Sequence, residues 1–269
     1  MRRLAVLGFP VGHSRSPAMQ NAALAELGLS EEWEYGAIEV APEEFEARVR
    51  ELAAAGYVGA NVTVPHKEAA LALADSASEA ASQIGAANTL SFAPGAETGV
   101  ATIAAENTDA GGLLASLPSP PHGKRALVLG AGGAARAVIW ALVGAGAEVA
   151  VWNRTPERAA AVTAELGGVD VTDPEPAGFE LIVNTSAAGL HGEDPFAQLP
   201  LAPGDFRADQ AVVDMVYGER PSALLAAAAE RGAVTVDGLE ILVQQGALSL
   251  ELWTGRRAPL AVMRAAARG

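Results

Sequence analysis

Short apolar runs alternate with longer amphipathic stretches along most of the chain, and the alternation predicts strands and helices in turn. In the first third, Leu4–Gly8 reads as a strand. Ser16 and Pro17 read as an N-cap followed by proline at the first helical position, with Gly28 closing the helix. Trp33–Val40 is a predicted strand. Glu43–Ala55 is an amphipathic helix with acids in its first turn and Gly56 beyond its end. A strand over Gly59–Val64 is stopped by Pro65, and short helices follow over Lys67–Ala74 and Ser78–Ile84. Thr89–Phe92 and Thr98–Ala104 pair as a hairpin around a Gly-containing turn. The softer stretch Ser116–Lys124 breaks the rhythm. A second series then runs through strands Ala126–Leu129, Glu148–Trp152, Leu181–Asn184, Val212–Val216 and Ala233–Val236. Its helices are Ala134–Gly144, Pro156–Gly167 and Pro221–Arg231, and Leu239–Trp253 and Pro259–Arg268 close the chain. Such alternation implies an α/β fold with mainly parallel sheets in both halves.

Composition narrows the function more than the fold. At 269 residues the chain is expected to form one large or two ordinary domains. Its 18 basic and 32 acidic residues give a net charge of −14, against a nucleic-acid-binding surface. The most apolar stretch, Ala126–Val151, is interrupted by Arg136, several glycines and Glu148, which argues against a membrane span. Leu4–Phe9 is too short for a signal peptide, so a cytoplasmic location is expected. There is no Cys, which rules out disulfides, iron–sulfur clusters and thiol nucleophiles, and the four His are scattered, so no protein-held metal is expected. Of the 18 basic residues only Lys67 and Lys124 are lysine. A chain that prefers arginine for surface charge draws attention to any site where an ammonium is kept.

Gly130-Ala131-Gly132-Gly133-Ala134-Ala135 fits G-x-G-x-x-A, directly after an apolar strand and directly before a helix. The first glycine makes the tight turn. The second lets the backbone approach a pyrophosphate at the helix N-terminus, where unpaired N–H groups favour anions. After the next strand a site for NAD would place Asp or Glu. Here stand Asn153, Arg154 and Thr155, with Arg158 one turn on, a set suited to a 2′-phosphate and hence to NADP(H).

Three segments of the first third hold further chemistry. Ser14 and Ser16, in the loop from the first strand to the first helix, could hold a carboxylate. Thr63 and Lys67 fall at the carboxyl edge of the sheet, where open α/β sheets bind ligands. Asn107-Thr108-Asp109 sits where the first series passes into the second. In order, the chain carries GxPxxHSxSP from Gly8, NVTxPxK from Asn61, GAxNT from Gly85, NTD, GAGGAxRA, NRT and DGLxxLVxQ from Asp237. That ordered set, from Gly8 to about Gln245, closely resembles the shikimate dehydrogenase family.

The resemblance implies NADPH-dependent reduction of 3-dehydroshikimate to shikimate, on the pathway to aromatic amino acids, with the active site in a cleft between two domains. It implies a substrate domain over residues 1–107, a Rossmann-type NADP-binding domain over 108–237, and C-terminal helices over 238–269 returning to the first. Lys67 is then the catalytic acid/base and Asp109 its charged neighbour. Ser14, Ser16 and Tyr217 hold the substrate carboxylate, and Thr63, Asn88, Asp109 and Gln245 hold the ring hydroxyls. Met215 and Gly238 line the nicotinamide pocket, and Glu79 matches a further cofactor contact. Four of the six Asn (Asn61, Asn88, Asn107 and Asn153) lie inside these motifs. Two positions depart from the family pattern: Gln20 where His is common, and His66 before the lysine. His66 reads as a half-exposed residue at a helix start, and Gln20 as lying outside the set that touches substrate. The rival readings are a quinate/shikimate dehydrogenase of the same fold and a non-catalytic NADP sensor. A homodimer is one expectation for its assembly.

Overall fold

The computed structural model describes residues 1–95, 101–190, 192–218 and 221–269. The chain forms two compact units. The first takes in Met1–Gly112 and Leu242–Gly269, and the second takes in Leu113–Ile241.

The first unit runs β1 (Arg2–Gly8), α1 (Ser16–Glu26), β2 (Trp33–Glu39), α2 (Phe45–Ala54), β3 (Tyr57–Val62), α3 (Lys67–Ala72), β4 (Ser76–Ala77), α4 (Glu79–Ile84), β5 (Thr89–Ala93), β6 (Thr102–Glu106) and α5 (Asp109–Ser116). Its six strands lie in the order β2-β1-β3-β5-β6-β4. The sheet is mixed. β1 pairs parallel with β2 and β3, and β4 parallel with β6, but β5 runs antiparallel to both β3 and β6. The predicted hairpin accounts for the β5–β6 pairing, since hairpin-joined strands must oppose. Of its second arm, residues 98–100 lie outside the described residues.

That register positions a site. β1 leads to β2 on one side and the chain returns to β3 on the other, so the loops after β1 and β3 diverge at the sheet's switch point. Because β5 is antiparallel, Asn61 pairs with Thr89, and Thr89 pairs with Glu106. Asn88, just before β5, and Asp109, just after β6, are thereby brought to the same edge as Thr63 and Lys67.

Ser16 is not the N-cap of α1. Arg15 holds that place with no side-chain cap, and the Ser14 hydroxyl accepts from the Ser16 N–H at 3.3 Å instead. Proline in the first turn explains the tolerance, because its missing N–H leaves less to cap. The core of this unit gathers Leu7, Phe45, Val49, Leu90 and Ile103 between sheet and helices.

The second unit contains β7 (Arg125–Leu129), α6 (Gly133–Gly144), β8 (Glu148–Trp152), α7 (Pro156–Leu166), β9 (Val169–Asp170), β10 (Leu181–Asn184), β11 (Ala211–Asp214), α8 (Ala223–Glu230) and β12 (Val234–Asp237). All its strand pairs are parallel, in the order β12-β11-β10-β7-β8-β9. Read from its other edge, the order fits the doubly wound Rossmann pattern, with its switch point between β7 and β10. Strands buried on both faces need apolar runs, and Ala126, Leu127, Val128 and Leu129 are fully buried. α9 (Gly238–Thr254) carries the chain back to the first unit, where α10 (Leu260–Arg268) packs on α1.

Candidate active site

In the first unit, α3 begins at Lys67 one turn beyond β3, and α5 begins at Asp109 beyond β6. Their side chains meet. Lys67 Nζ donates to Asp109 Oδ2 at 2.5 Å, with the two side chains 13% and 8% exposed. Desolvating two charges costs several kcal/mol per ion, so such a pair is poor evidence for stability and better evidence for chemistry. Asn88 Nδ2 donates to the other carboxylate oxygen, Oδ1, at 2.9 Å, and lies 3.1 Å from Gln245 Oε1. The Thr108 N–H donates to Asn88 Oδ1 at 2.7 Å. The close approach of Gln245 depends on Gly112, where an added Cβ would stand 2.7 Å from Gln245 N and Cβ. Ser14 and Thr63 are half-buried and Ser16 is buried. Thus Ser14, Ser16, Thr63, Lys67, Asn88, Asp109 and Gln245 all belong to one unit. Glu79 is in the same unit, at the start of α4, with its carboxylate accepting from Gln83.

His66 departs from expectation. It is 2% exposed, its ring stacks on Phe45 at 4.3 Å, and its Nε2 bonds Val40 O at 2.8 Å. The apolar bed of Phe45 explains why an imidazole can replace an apolar residue there. Burial lowers its pKa, with the Val40 bond acting the other way. Gln20 is also buried. Its Nε2 donates to Gly246 O at 2.9 Å, while Oε1 has no partner.

In the second unit a cleft with about 160 Å³ of free space opens at the switch point, lined by Gly130, Trp152, Asn153, Arg154, Thr155, Arg158, Ser186, Ala187, Ala188, Gln198 and Leu199. Gly130 has φ +121°, and an added Cβ would stand 2.6 Å from Thr185 Oγ1. Only glycine fits that turn. Gly132 caps α6 with no side-chain bond and no acid follows in the first turn, so the first-turn N–H groups of Gly133 and Ala134 get no side-chain cap. The Thr155 hydroxyl makes no cap bond to α7 either. Arg154 and Arg158 are exposed and belong to none of the ion pairs among the described residues. Pyrophosphate, ribose and 2′-phosphate each find donors of the right kind here, so the residues fit a bound NADP.

Sequence reasoning misses Ser186, Ala187, Ala188, Gln198 and Leu199. The available signal is Asn184-Thr185-Ser186, three hydrogen-bonding side chains at the carboxyl end of the apolar switch-point strand. Asn184 Oδ1 accepts from Ser186 Oγ at 2.7 Å, and Asn184 Nδ2 donates to Asp214 Oδ1 at 2.9 Å. Burial pushes the Asp214 carboxyl up, against bonds from Ser222, Val216 and Asn184 that favour the charged form. Met215 and Tyr217 follow it, half-buried, and Gly238 opens α9, buried. These three belong to the second unit, whereas Ser14 and Ser16 belong to the first.

Strand order and cleft define a dinucleotide-binding protein of the Rossmann class joined to a mixed-sheet α/β unit. Family models sharpen this. "Shikimate dehydrogenase substrate binding domain" matches residues 6–90, "Shikimate / quinate 5-dehydrogenase" matches 115–176, and "Shikimate 5'-dehydrogenase C-terminal domain" matches 238–268. A shikimate dehydrogenase (NADP(+)) of Moorella thermoacetica is 41% identical over 276 positions, covering 97% of this chain and 90% of that one. The crystal structure of shikimate dehydrogenase from Aquifex aeolicus superposes with a TM-score of 0.91 at 39% identity, covering 100% of this chain and 98% of that one. The shikimate 5-dehydrogenase of Thermus thermophilus, in complex with NADP(H) and shikimate, gives 0.88 at 42% identity, with 100% and 99% covered. The chain belongs to the shikimate dehydrogenase family.

Proposed function

We propose that the chain catalyses the NADPH-dependent, reversible reduction of 3-dehydroshikimate to shikimate in aromatic amino-acid biosynthesis, in the cytoplasm. The observation that carries this reading is the buried Lys67–Asp109 pair at the carboxyl edge of the first sheet, bordered by Asn88 and Gln245. Residues 1–112 and 242–269 form the substrate domain and residues 113–241 the NADP-binding domain.

NADPH, when bound, supplies the hydride. The protein must then hold the ketone and give a proton to the oxygen that gains charge. The Lys67 ammonium can polarise that oxygen and protonate it. Asp109 fixes the ammonium in place, and Asn88 fixes Asp109. Thr63, Asn88 and Gln245 supply hydroxyl and amide groups for the ring hydroxyls, and Ser14 and Ser16 supply hydroxyls for the carboxylate. In the second domain the first-turn N–H groups of α6 take the pyrophosphate, and Arg154 and Arg158 take the 2′-phosphate.

Mixing the protein with NADPH and 3-dehydroshikimate is expected to bleach the NADPH absorbance, with NADH much the poorer donor. An unchanged trace over hours at micromolar enzyme would sink the proposal.

A further inference from the structure

Asp214 ends β11 fully buried, a carboxylate that the hydride and proton transfers do not call on. It belongs to none of the ion pairs among the described residues. Burying a carboxylate without a cation is costly unless several donors surround it. Asn184 Nδ2 donates to Oδ1 at 2.9 Å, the Val216 N–H donates to the same oxygen at 3.1 Å, and Ser222 Oγ donates to Oδ2. Asn184 ends the neighbouring strand β10, in register with Asp214 and equally buried.

A backbone group settles the orientation of the Asn184 amide. The Ser186 N–H can only donate, and it donates to Oδ1 at 3.1 Å. Nδ2 must therefore face Asp214. A flipped amide would set donor against donor at Ser186 and oxygen against carboxylate at Asp214. With Oδ1 fixed as an acceptor, the Ser186 hydroxyl donates to it at 2.7 Å and keeps its lone pairs for the Ala188 N–H at 3.2 Å. Two side-chain turns in succession thus curl the chain after β10. Ser186, Ala187 and Ala188 are thereby placed to line the cleft that Arg154 and Arg158 also line. Between the two turns, Thr185 donates from its N–H and from Oγ1 to Leu129 O, both at 2.9 Å, which ties the segment to the glycine loop.

We propose that Asn184, held by the Asp214 carboxylate, is a positioning residue for cofactor binding, setting the Ser186–Ala188 turn against the adenosine half of the dinucleotide. This deepens the reading of the cleft as the NADP site and rests on it. The adenosine half is the one that carries the 2′-phosphate, and the turn shares its cleft with the arginines that take that group. The turn itself offers no cation, so the 2′-phosphate gains nothing from it. Loosening the turn weakens NADP⁺ and NAD⁺ by the same factor, whereas losing Arg154 weakens NADP⁺ alone.

The test is titration calorimetry of the full chain with NADP⁺, NAD⁺, adenosine 2′,5′-bisphosphate and shikimate, well below the thermal midpoint of each variant. Asn184→Ala should weaken NADP⁺, NAD⁺ and the bisphosphate alike by about five- to thirtyfold, the scale of one or two lost hydrogen bonds. Its shikimate affinity and its NADP⁺/NAD⁺ preference should stay within about twofold of the wild type. Asp214→Asn keeps an acceptor oxygen for Asn184 Nδ2 and the Val216 N–H and turns its own amide to Ser222. Its loss should be smaller, about three- to fivefold, and it decides the matter on the same terms if Asn184→Ala does not fold. A merely structural pair would lower the thermal midpoint and leave the cofactor affinities unmoved, which overturns the proposal. So would an equal loss of shikimate affinity, or a loss that spares the bisphosphate. If Arg154→Ala weakens NADP⁺ but Asn184→Ala does not, the cleft reading stands and Asn184 has no such role. If Arg154→Ala leaves NADP⁺ affinity unchanged, the cleft reading fails and the Asn184 inference falls with it.

Discussion

In the first unit Lys67, Asp109, Asn88, Thr108 and Gln245 are bonded to one another and largely buried. In the second unit the cleft presents Arg154, Thr155 and Arg158 exposed to solvent, beside a helix start with no side-chain cap. The first arrangement fixes geometry before a ligand arrives, at the cost of desolvated charge. The second leaves its charge hydrated, ready for an anion. The two should therefore respond differently to substitution. Changes in the network should be strongly coupled and should strike turnover, whereas changes in the cleft should be nearly independent and should strike affinity.

The largest effect is expected at Lys67. An arginine there keeps the charge but cannot release a proton in this pH range. Lys67→Arg should lose about 10²–10⁴-fold in kcat, close to the loss in Lys67→Ala, while shikimate affinity measured by titration falls much less. Near wild-type turnover in the arginine variant would mean the buried pair only anchors. In the cleft, Arg154→Ala should raise the NADPH KM and leave the NADH KM almost unchanged. The loss of NADP preference should be about 10–150-fold, one charge-assisted bond. An unchanged NADPH/NADH ratio would move the 2′-phosphate elsewhere.

The contrast itself is tested by additivity. Asn88→Ala and Asp109→Asn, combined, should depart from the sum of their single effects on stability by about 0.5–3 kcal/mol, read from denaturant unfolding. Arg154→Ala and Arg158→Ala should add within about 0.5 kcal/mol in NADPH affinity. Additive losses in the first pair would show that the network is a set of separate contacts.

The smallest effect concerns His66. Burial depresses its folded pKa, so below about 6.5 the unfolded chain binds a proton that the folded chain refuses. The histidine's contribution to stability is complete above about pH 6.5 and declines as the pH falls towards the lower folded value. The thermal midpoint of the wild type should drop more between about pH 7.5 and about pH 5.5 than that of His66→Phe. Equal drops would show that the imidazole titrates freely.

Much of the candidate site is legible because its residues sit at strand ends, where local pattern and topology agree. Lys67 and the glycine loop are each placed by an apolar strand that stops and a helix that starts, and Asp109 by the Asn107-Thr108-Asp109 segment where the first series passes into the second. What escaped was non-local or too short. β4 and β9 have two residues each, and no periodicity can declare itself in two. α5 was hidden because Asp109-Ala110-Gly111-Gly112 contains two glycines, poor helix formers whose presence answers to Gln245 and Leu248 packed against them. The exposure assigned to His66 missed because Phe45, which covers it, belongs to a different helix and lies far off in sequence. Gln198 and Leu199 reach the cleft from a loop no strand points to.

The return of the chain to the first unit has a consequence for how the protein comes into being. Every residue of the second unit is translated before α10, whose seat is on α1 near the start. The second unit can therefore close while still tethered to the ribosome, but the first reaches its full packing only later, its earliest helix resting on β1 and β2 without the cover of α10 until that helix emerges. A nascent chain stalled short of Leu260 would hold a finished second unit and an unfinished first one.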